Sequence, residues 1–393
     1  MYYILMSDKG QTDNPIKRFA QDVFLTEVPV RSRVGAQEKR GDRMKKTLCS
    51  RIAICAIMML VILSVTACGT GESDSSQSSG NGKSAEYVIR VGHSDTEDNL
   101  LNVSLKNYAD WVSEKTDGKV LIRIYPNEKL GDNTDMAQML VTGELDAMMM
   151  PQGVEATYAP KIATIGLPFL FDSYEQACAV LDNEEVAKGL TEGLGDYNMI
   201  QLAFWENGMR QITNNVKEID NAKDAEGLHL RIPEDSMTAA IMKELGMTTT
   251  VFSWSRTYDA LKQGTFDGQE NPIANIYANK IQEVNKYMTI TNHKYESKNL
   301  IFSLSTWNDL PEDIQGVLLE GAKKFGQEHR EAVASAESKQ LEELKKDGMK
   351  VNEDPDIDSF KTATRDVYTD FEVQDNWTAP LIAKIRALAS AAE

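Results

Sequence analysis

The chain has 393 residues, 41% of them apolar, with four Cys, four His, and 42 Lys+Arg against 60 Asp+Glu. That composition fits a folded protein with room for one large or two medium domains, and it excludes a disordered or disulfide-stapled chain. The net charge of −18 excludes nucleic acid as the partner, because phosphate binding draws on clustered Lys and Arg.

The charge is unevenly spread. Residues 1–67 carry 11 basic and 6 acidic side chains, whereas the rest carries 31 and 54, so a basic head precedes an acidic body of net −23. From Met44 the head runs Met-Lys-Lys-Thr-Leu-Cys-Ser-Arg, then the apolar stretch Ile52 to Val65, then Thr66-Ala67-Cys68. A short cationic segment, an apolar run and a small-residue cleavage site predict a secretory signal peptide over 44–67. The run has 14 residues, short of the roughly 20 that a membrane span needs. Val65-Thr66-Ala67-Cys68 resembles a bacterial lipobox, which implies a lipid on Cys68. The polar stretch that follows makes 68–85 a flexible tether with nothing to bury. A protein so built is extracytoplasmic and lipid-anchored to the cell membrane, on its periplasmic or outer face. Residues 1–43 precede a complete signal and are read as a mis-assigned extension, with translation starting at Met44. Cys178 then has no partner for an internal disulfide, and its helical apolar surroundings make it a packed small hydrophobe, not a nucleophile.

From Tyr87 onward, short apolar runs alternate with amphipathic ones, the signature of α/β layers with mostly parallel strands. Strands are predicted at Tyr87–Gly92, Val120–Tyr125, Leu145–Met150, Met199–Trp205, Leu228–Ile232, Thr248–Ser253, Tyr287–Thr291 and Asn299–Leu304. Helices are predicted at Leu100–Lys115 and at Asp132–Thr142, the latter closed by Gly143. Elements this numerous suggest two lobes. After Pro311 the apolar residues Ile314, Val317, Leu318, Phe325, Val333, Leu341 and Leu344 keep a helical period, giving one helix from Glu312 to Lys346. It would be about 50 Å long and able to brace two lobes. The alternative is two helices broken near Gly321 or Ser335.

Motifs for catalysis are missing. The four His (His93, His229, His293, His329) form no His-Glu-x-x-His pair, and the chain has neither a Gly-x-Ser-x-Gly turn nor a phosphate loop. No enzyme, cofactor or metal is expected. Three positions point instead to binding. Arg231 lies at the carboxyl end of a strand, just before Pro233, where α/β folds collect ligands. Asn271 precedes Pro272, which pushes it out of helical geometry, so it is expected to cap a helix and direct free backbone N–H groups at an anion. Trp254 follows the next strand, where an indole can wall a small polar ligand. Each has a plainer alternative: a surface ion pair, a bare helix cap, and core packing. Together, a guanidinium, an amide and an aromatic wall suit a carboxylate.

Five runs carry a family resemblance: Phe204-Trp-Glu-Asn-Gly-Met-Arg210, Gly227-Leu-His-Leu-Arg231-Ile-Pro233, Phe266-Asp-Gly-Gln-Glu-Asn-Pro272, Glu283 to His293, and Leu310-Pro-Glu-Asp. In order and spacing, from Tyr87 to the C-terminus, the chain resembles the solute-binding proteins of tripartite ATP-independent periplasmic (TRAP) transporters. The resemblance implies a two-lobe periplasmic-binding-protein-like fold with hinge strands and one long helix bracing both lobes. Lobe I is placed at 86–208 and 296–336, and lobe II at 209–295 and 337–393. It further implies a monomer that captures a small organic acid, either a sugar acid (uronate) or a C4-dicarboxylate, and delivers it to the membrane permease subunits. By position, Arg231 is implied to pair with the ligand carboxylate, with Arg210 and Asn271 beside it and Trp254 as the aromatic neighbour. Ser94 and Gln152 are implied as polar contacts from the other lobe. Two alternatives share the pocket: a sensor presenting its ligand to a signalling receptor, and a surface enzyme acting on acidic sugars.

Overall fold

The structure, a computed structural model, describes residues 85–373 and 375–392. The signal peptide, Cys68 and nearly all of the tether lie outside the described residues. No described helix is long and apolar enough to cross a membrane.

The chain begins as the periodicity predicts. β1 (Tyr87–Gly92), β2 (Val120–Tyr125) and β3 (Ala147–Pro151) are parallel and are joined by the helices Leu100–Lys115 and Asn133–Thr142. The helix ends are written in the sequence. Asn99 accepts from the Leu101 N–H, Asp132 and Asp135 form a capping box, and Gly143 closes the second helix at φ 77°. The chain continues through β4 (Met199–Ala203), β5 (Glu206–Asn214), β6 (His229–Ile232), β7 (Thr248–Val251) and β8 (Gly268–Pro272). It ends with β9 (Tyr287–Thr289), β10 (Tyr295–Ser303), the helix Glu312–Lys346, β11 (Lys350–Asn352) and three C-terminal helices.

The main sheet path is β2-β1-β3-β10-β5-β8-β6-β7. β6 is parallel to β7 and β8, so each outer part of the sheet is parallel as expected. The centre is not. β10 runs antiparallel to β3 through Lys298–Phe302 and antiparallel to β5 through Tyr295–Ser297. These two long strands cross between the halves in opposite directions, which forces antiparallel pairing wherever they meet a neighbour.

Apolar side chains collect on both sides of each half. In the first half, Ile89, Leu105, Trp205 and Leu318 share one cluster, and Met136, Leu140 and Met148 another. In the second, Trp254, Ile276, Met288 and Leu344 form one cluster. The largest holds Leu230, Ile232 and Met242 with Phe360 and Ile385. That last cluster also draws on the segment between β3 and β4. Ile162, Leu167, Val180 and Leu190 pack in it, whereas Leu194 packs with Met136 and Met148.

The helix Glu312–Lys346 is uninterrupted. Two of its three glycines, Gly321 and Gly326, serve packing, not a break. A Cβ at Gly321 would lie 2.7 Å from Trp111 and 2.8 Å from Tyr108, and one at Gly326 would lie 2.8 Å from Trp205. Trp205 donates to the Ala322 carbonyl at 3.0 Å, while Leu344 reaches the second lobe's core, so one rod is fixed to both halves.

Candidate functional site

Arg231 stands at the carboxyl end of β6, as its position before Pro233 predicts. It is 2% exposed, and its Nε donates to the Phe252 carbonyl at 2.7 Å. It enters no ion pair among the described residues. Its guanidinium carbon lies 5.2 Å from the centre of the Trp254 ring, a cation–π distance. Burial pushes its pKa down to about 10, against the opposing fields of Glu234 and Glu270. A guanidinium held this way remains charged at neutral pH and lacks a counter-ion within reach. Trp254, in the one-turn segment Trp254–Arg256 after β7, is buried, and its indole N–H has no partner among the described residues.

Arg210, equally buried, is a different case. On β5 it faces Pro272 of β8, and its Nε and Nη1 bond Glu270 and Glu296 respectively. Its Nη2 donates to Glu270 Oε1 at 2.7 Å, to the Glu270 carbonyl at 2.8 Å and to Asn271 Oδ1 at 3.2 Å. Burial would lower its pKa, but Glu270 and Glu296 outweigh that and hold it above the ordinary value. Burial would likewise raise Glu270, and Arg210 brings it down to about 2. Arg210 thus differs from Arg231 in having two protein carboxylates as partners. Its donors reach the Glu270 and Glu296 carboxylates and the Asn271 side chain.

Asn271 departs from expectation. It is a residue of β8, the cap position of the next helix belongs to Pro272, and no side chain caps that helix. Because Pro272 already supplies the extended entry geometry, Asn271 is released from capping, and its amide N–H bonds Gln269.

The other lobe supplies loop residues at the carboxyl ends of its strands. Ser94, after β1, accepts from Lys298 Nζ at 3.1 Å, and Lys298 is paired with Asp95. Gln152, after β3, donates to the Ile162 carbonyl at 3.2 Å, and its amide oxygen has no partner among the described residues. The two lobes touch. Asn99 donates to Asn275 at 2.9 Å, and Asp235 lies so near Gly153 that a Cβ there would clash. Glu128, after β2, receives the Trp254 N–H at 3.1 Å and the Ser255 N–H at 3.3 Å. Glu128 was not singled out from sequence; it is one acidic residue among sixty, and no spacing marks it.

Residues 91–375 match the family described as bacterial extracellular solute-binding protein, family 7. The chain belongs to this family. It is the solute-binding component of a TRAP transporter, and the likeness extends to whole relatives. The sialic acid-binding periplasmic protein SiaP of Vibrio cholerae is 28% identical over 304 residues, 77% of this chain and 94% of that protein. An uncharacterized protein of Sinorhizobium fredii, y4mM, is 33% identical over 72% of this chain, which spans 52% of its length. Among solved structures, a TRAP periplasmic solute-binding protein from a Polaromonas species, bound to D-erythronate, superposes with a TM-score of 0.73. It is 31% identical, over 77% of this chain and 98% of that one. The two-lobe solute-binding fold and the extracytoplasmic class of this solute-binding protein follow from these likenesses.

Proposed function

We propose that this solute-binding protein captures a hydroxylated monocarboxylic acid of the sugar-acid kind and releases it unchanged to a membrane permease. The observation that carries the reading is Arg231, a buried guanidinium at a strand end with no carboxylate of its own, beside an indole whose N–H is unused. The planar fork suits two carboxylate oxygens, Trp254 walls the carbon chain, and Asn271 and Gln152 serve hydroxyls. The relatives named for sialic acid and D-erythronate support an acid with several hydroxyls.

A second carboxylate fits less well. Lys294 is paired with Asp235, Lys298 with Asp95, and Arg210 with Glu270 and Glu296. Glu234 and Glu128 both add negative field at Arg231. A dicarboxylate would bring its second charge to a cleft whose other buried cations are neutralised. The net −23 of the body makes the local field at Arg231 the feature that admits an anion at all.

The test is a thermal-shift screen over aldonates, uronates, sialic acid, succinate and malate, since a ligand at 100 times its Kd stabilises by about 2.7 kcal/mol. Shifts with hydroxylated monocarboxylates and recovery of the same mass afterwards support the proposal. A response to succinate alone, or to none of the acids, rejects it. The proposal includes the lipid on Cys68 that would keep the protein beside its permease. Radiolabelled palmitate incorporated into the wild type but not into Cys68→Ser tests that part.

A further inference from the structure

We infer that Glu128 is a latch, a positioning residue that holds the two lobes together and fixes the segment carrying Trp254 against Arg231. Its carboxylate belongs to the first lobe, yet all four of its hydrogen-bond donors come from the second: the Ser253 and Ser255 hydroxyls and the Trp254 and Ser255 backbone N–H groups. A carboxylate meeting that many donors at once is among the stronger hydrogen-bonding arrangements that a protein makes.

The backbone beneath it is built for this. Asn127 and Glu128 both adopt left-handed geometry, at φ 58° and 57°. For a glutamate this is an unfavourable conformation, held only when its surroundings demand it. The demand is visible. The Asn127 N–H donates to the Asp95 carbonyl at 2.8 Å and the Glu128 N–H to the His93 carbonyl at 3.1 Å. Asp95 is in turn paired with Lys298 of β10, one of the two crossing strands. The strained turn is thereby tied to the hinge, and the side chain it projects closes on the loop that presents the indole. Arg231 feels the Glu128 charge, which places the latch at the rim of the same cleft. A second cross-lobe bond, from Asn99 to Asn275, is neutral and single. Glu128 adds a charged contact, with four donors, between the lobes.

The inference rests on the lobes hinging and on no assumption about the ligand, so it is tested on ligand-free protein. Nitroxide side chains introduced genetically at the exposed positions Thr134 and Gln263, one on each lobe, report the interlobe distance by double electron–electron resonance. The expected result is a closed-distance population in the wild type that falls about tenfold relative to the open one in Glu128→Ala, the size of one charge-assisted hydrogen bond. Glu128→Gln, which keeps the shape and loses the charge, falls between. The double variant Ser253→Ala with Ser255→Ala, which leaves the strained turn intact, shows a loss in the same direction. Identical distance distributions in all four proteins, including a wild type that is entirely open, overturn the inference. Loss in Glu128→Ala but not in the double serine variant assigns the effect to the turn and also overturns it.

Discussion

Replacing Arg231 with Met separates binding from folding. Holding a guanidinium down at about 10, well below its ordinary value, corresponds to about 3 kcal/mol of burial penalty at 1.36 kcal/mol per pH unit. Methionine removes that penalty and fills similar space. It also gives up the hydrogen bond to the Phe252 carbonyl, about 1 kcal/mol, and the contact with Trp254, about 1 kcal/mol. The balance favours the variant by about 1 kcal/mol, so its unliganded Tm should match the wild type or exceed it by up to about 4 °C. Binding should respond in the opposite sense. Truncating one partner of a buried charge pair costs about 2 to 5 kcal/mol, which weakens a carboxylate ligand by about 30-fold or more. Differential scanning fluorimetry with and without ligand, and titration calorimetry, read the two effects separately. Arg231→Lys, which keeps the charge without the fork, should also lose tight binding with its unliganded Tm nearly unchanged. A fall in unliganded Tm of about 5 °C or more in Arg231→Met would mean that the guanidinium holds the fold together. That outcome, or retained affinity in either variant, refutes the reasoning.

Arg210 should behave in the reverse way: Arg210→Met leaves Glu270 buried without its arginine and Glu296 with only Lys294 at 3.4 Å, and urea unfolding should register a loss of about 3 to 5 kcal/mol even without ligand. Two further buried acids make stability depend on alkaline pH. Burial raises Glu155 and Glu206 to about 8 each, against an ordinary 4.5, so the folded state holds protons that the unfolded chain has released. Their contribution is complete below about pH 4.5 and is lost as pH rises through about 8. Tm measured from pH 5 to 9 should fall, and Glu155→Gln should flatten the fall. Glu270, held at about 2, has the opposite sign: what it contributes is present above pH 4.5 and is lost as pH drops toward 2. Gly326→Ala forces a methyl into Trp205 and should cost about 1 to 3 kcal/mol by chemical denaturation.

Much of this architecture is legible in the sequence because its outer layers obey simple periodicities. β1, β2 and the helix Leu100–Lys115 occupy the predicted residues, since β-branched runs and a buried stripe at Leu101, Leu105, Tyr108 and Val112 leave one choice. The long helix is equally plain from its apolar spacing, and two of its three interior glycines, Gly321 and Gly326, make sense only once the rings of Trp111 and Trp205 are seen against them. Arg231 was legible for a local reason, a strand ended by Pro233. Asn271 was misread because Pro272 suits both a cap and a first turn, and the sequence does not say which. The packing of Ile162, Leu167, Val180 and Leu190 with Leu230 and Phe360 has no local marker, because which core an apolar helix joins is a property of the whole fold.

Of the two crossing strands, periodicity finds only the apolar end of β10, from Asn299, and misses β5 entirely. β5 reads Glu-Asn-Gly-Met-Arg-Gln-Ile-Thr-Asn, and every one of its nine residues is buried. A buried strand is expected to be apolar, so a polar run of this kind reads as a loop. It is tolerable here because its polar groups satisfy one another across the neighbouring strands. Arg210 meets Glu270 and Glu296, Thr213 bonds Asn285 at 2.8 Å, and Tyr295 of β10 donates to Glu206 at 3.2 Å. Hydrogen bonds and ion pairs are directional where apolar packing is not, so such a network specifies one register for the crossing strands and keeps it while the lobes move. The same logic separates the two arginines. One charge has carboxylate partners supplied by the protein, and the other, 5.2 Å from an indole at a strand end, has none among the described residues and is the one we propose for the ligand. The sequence writes both as Arg, and only the carboxylates brought beside Arg210 by β8 and β10 tell them apart.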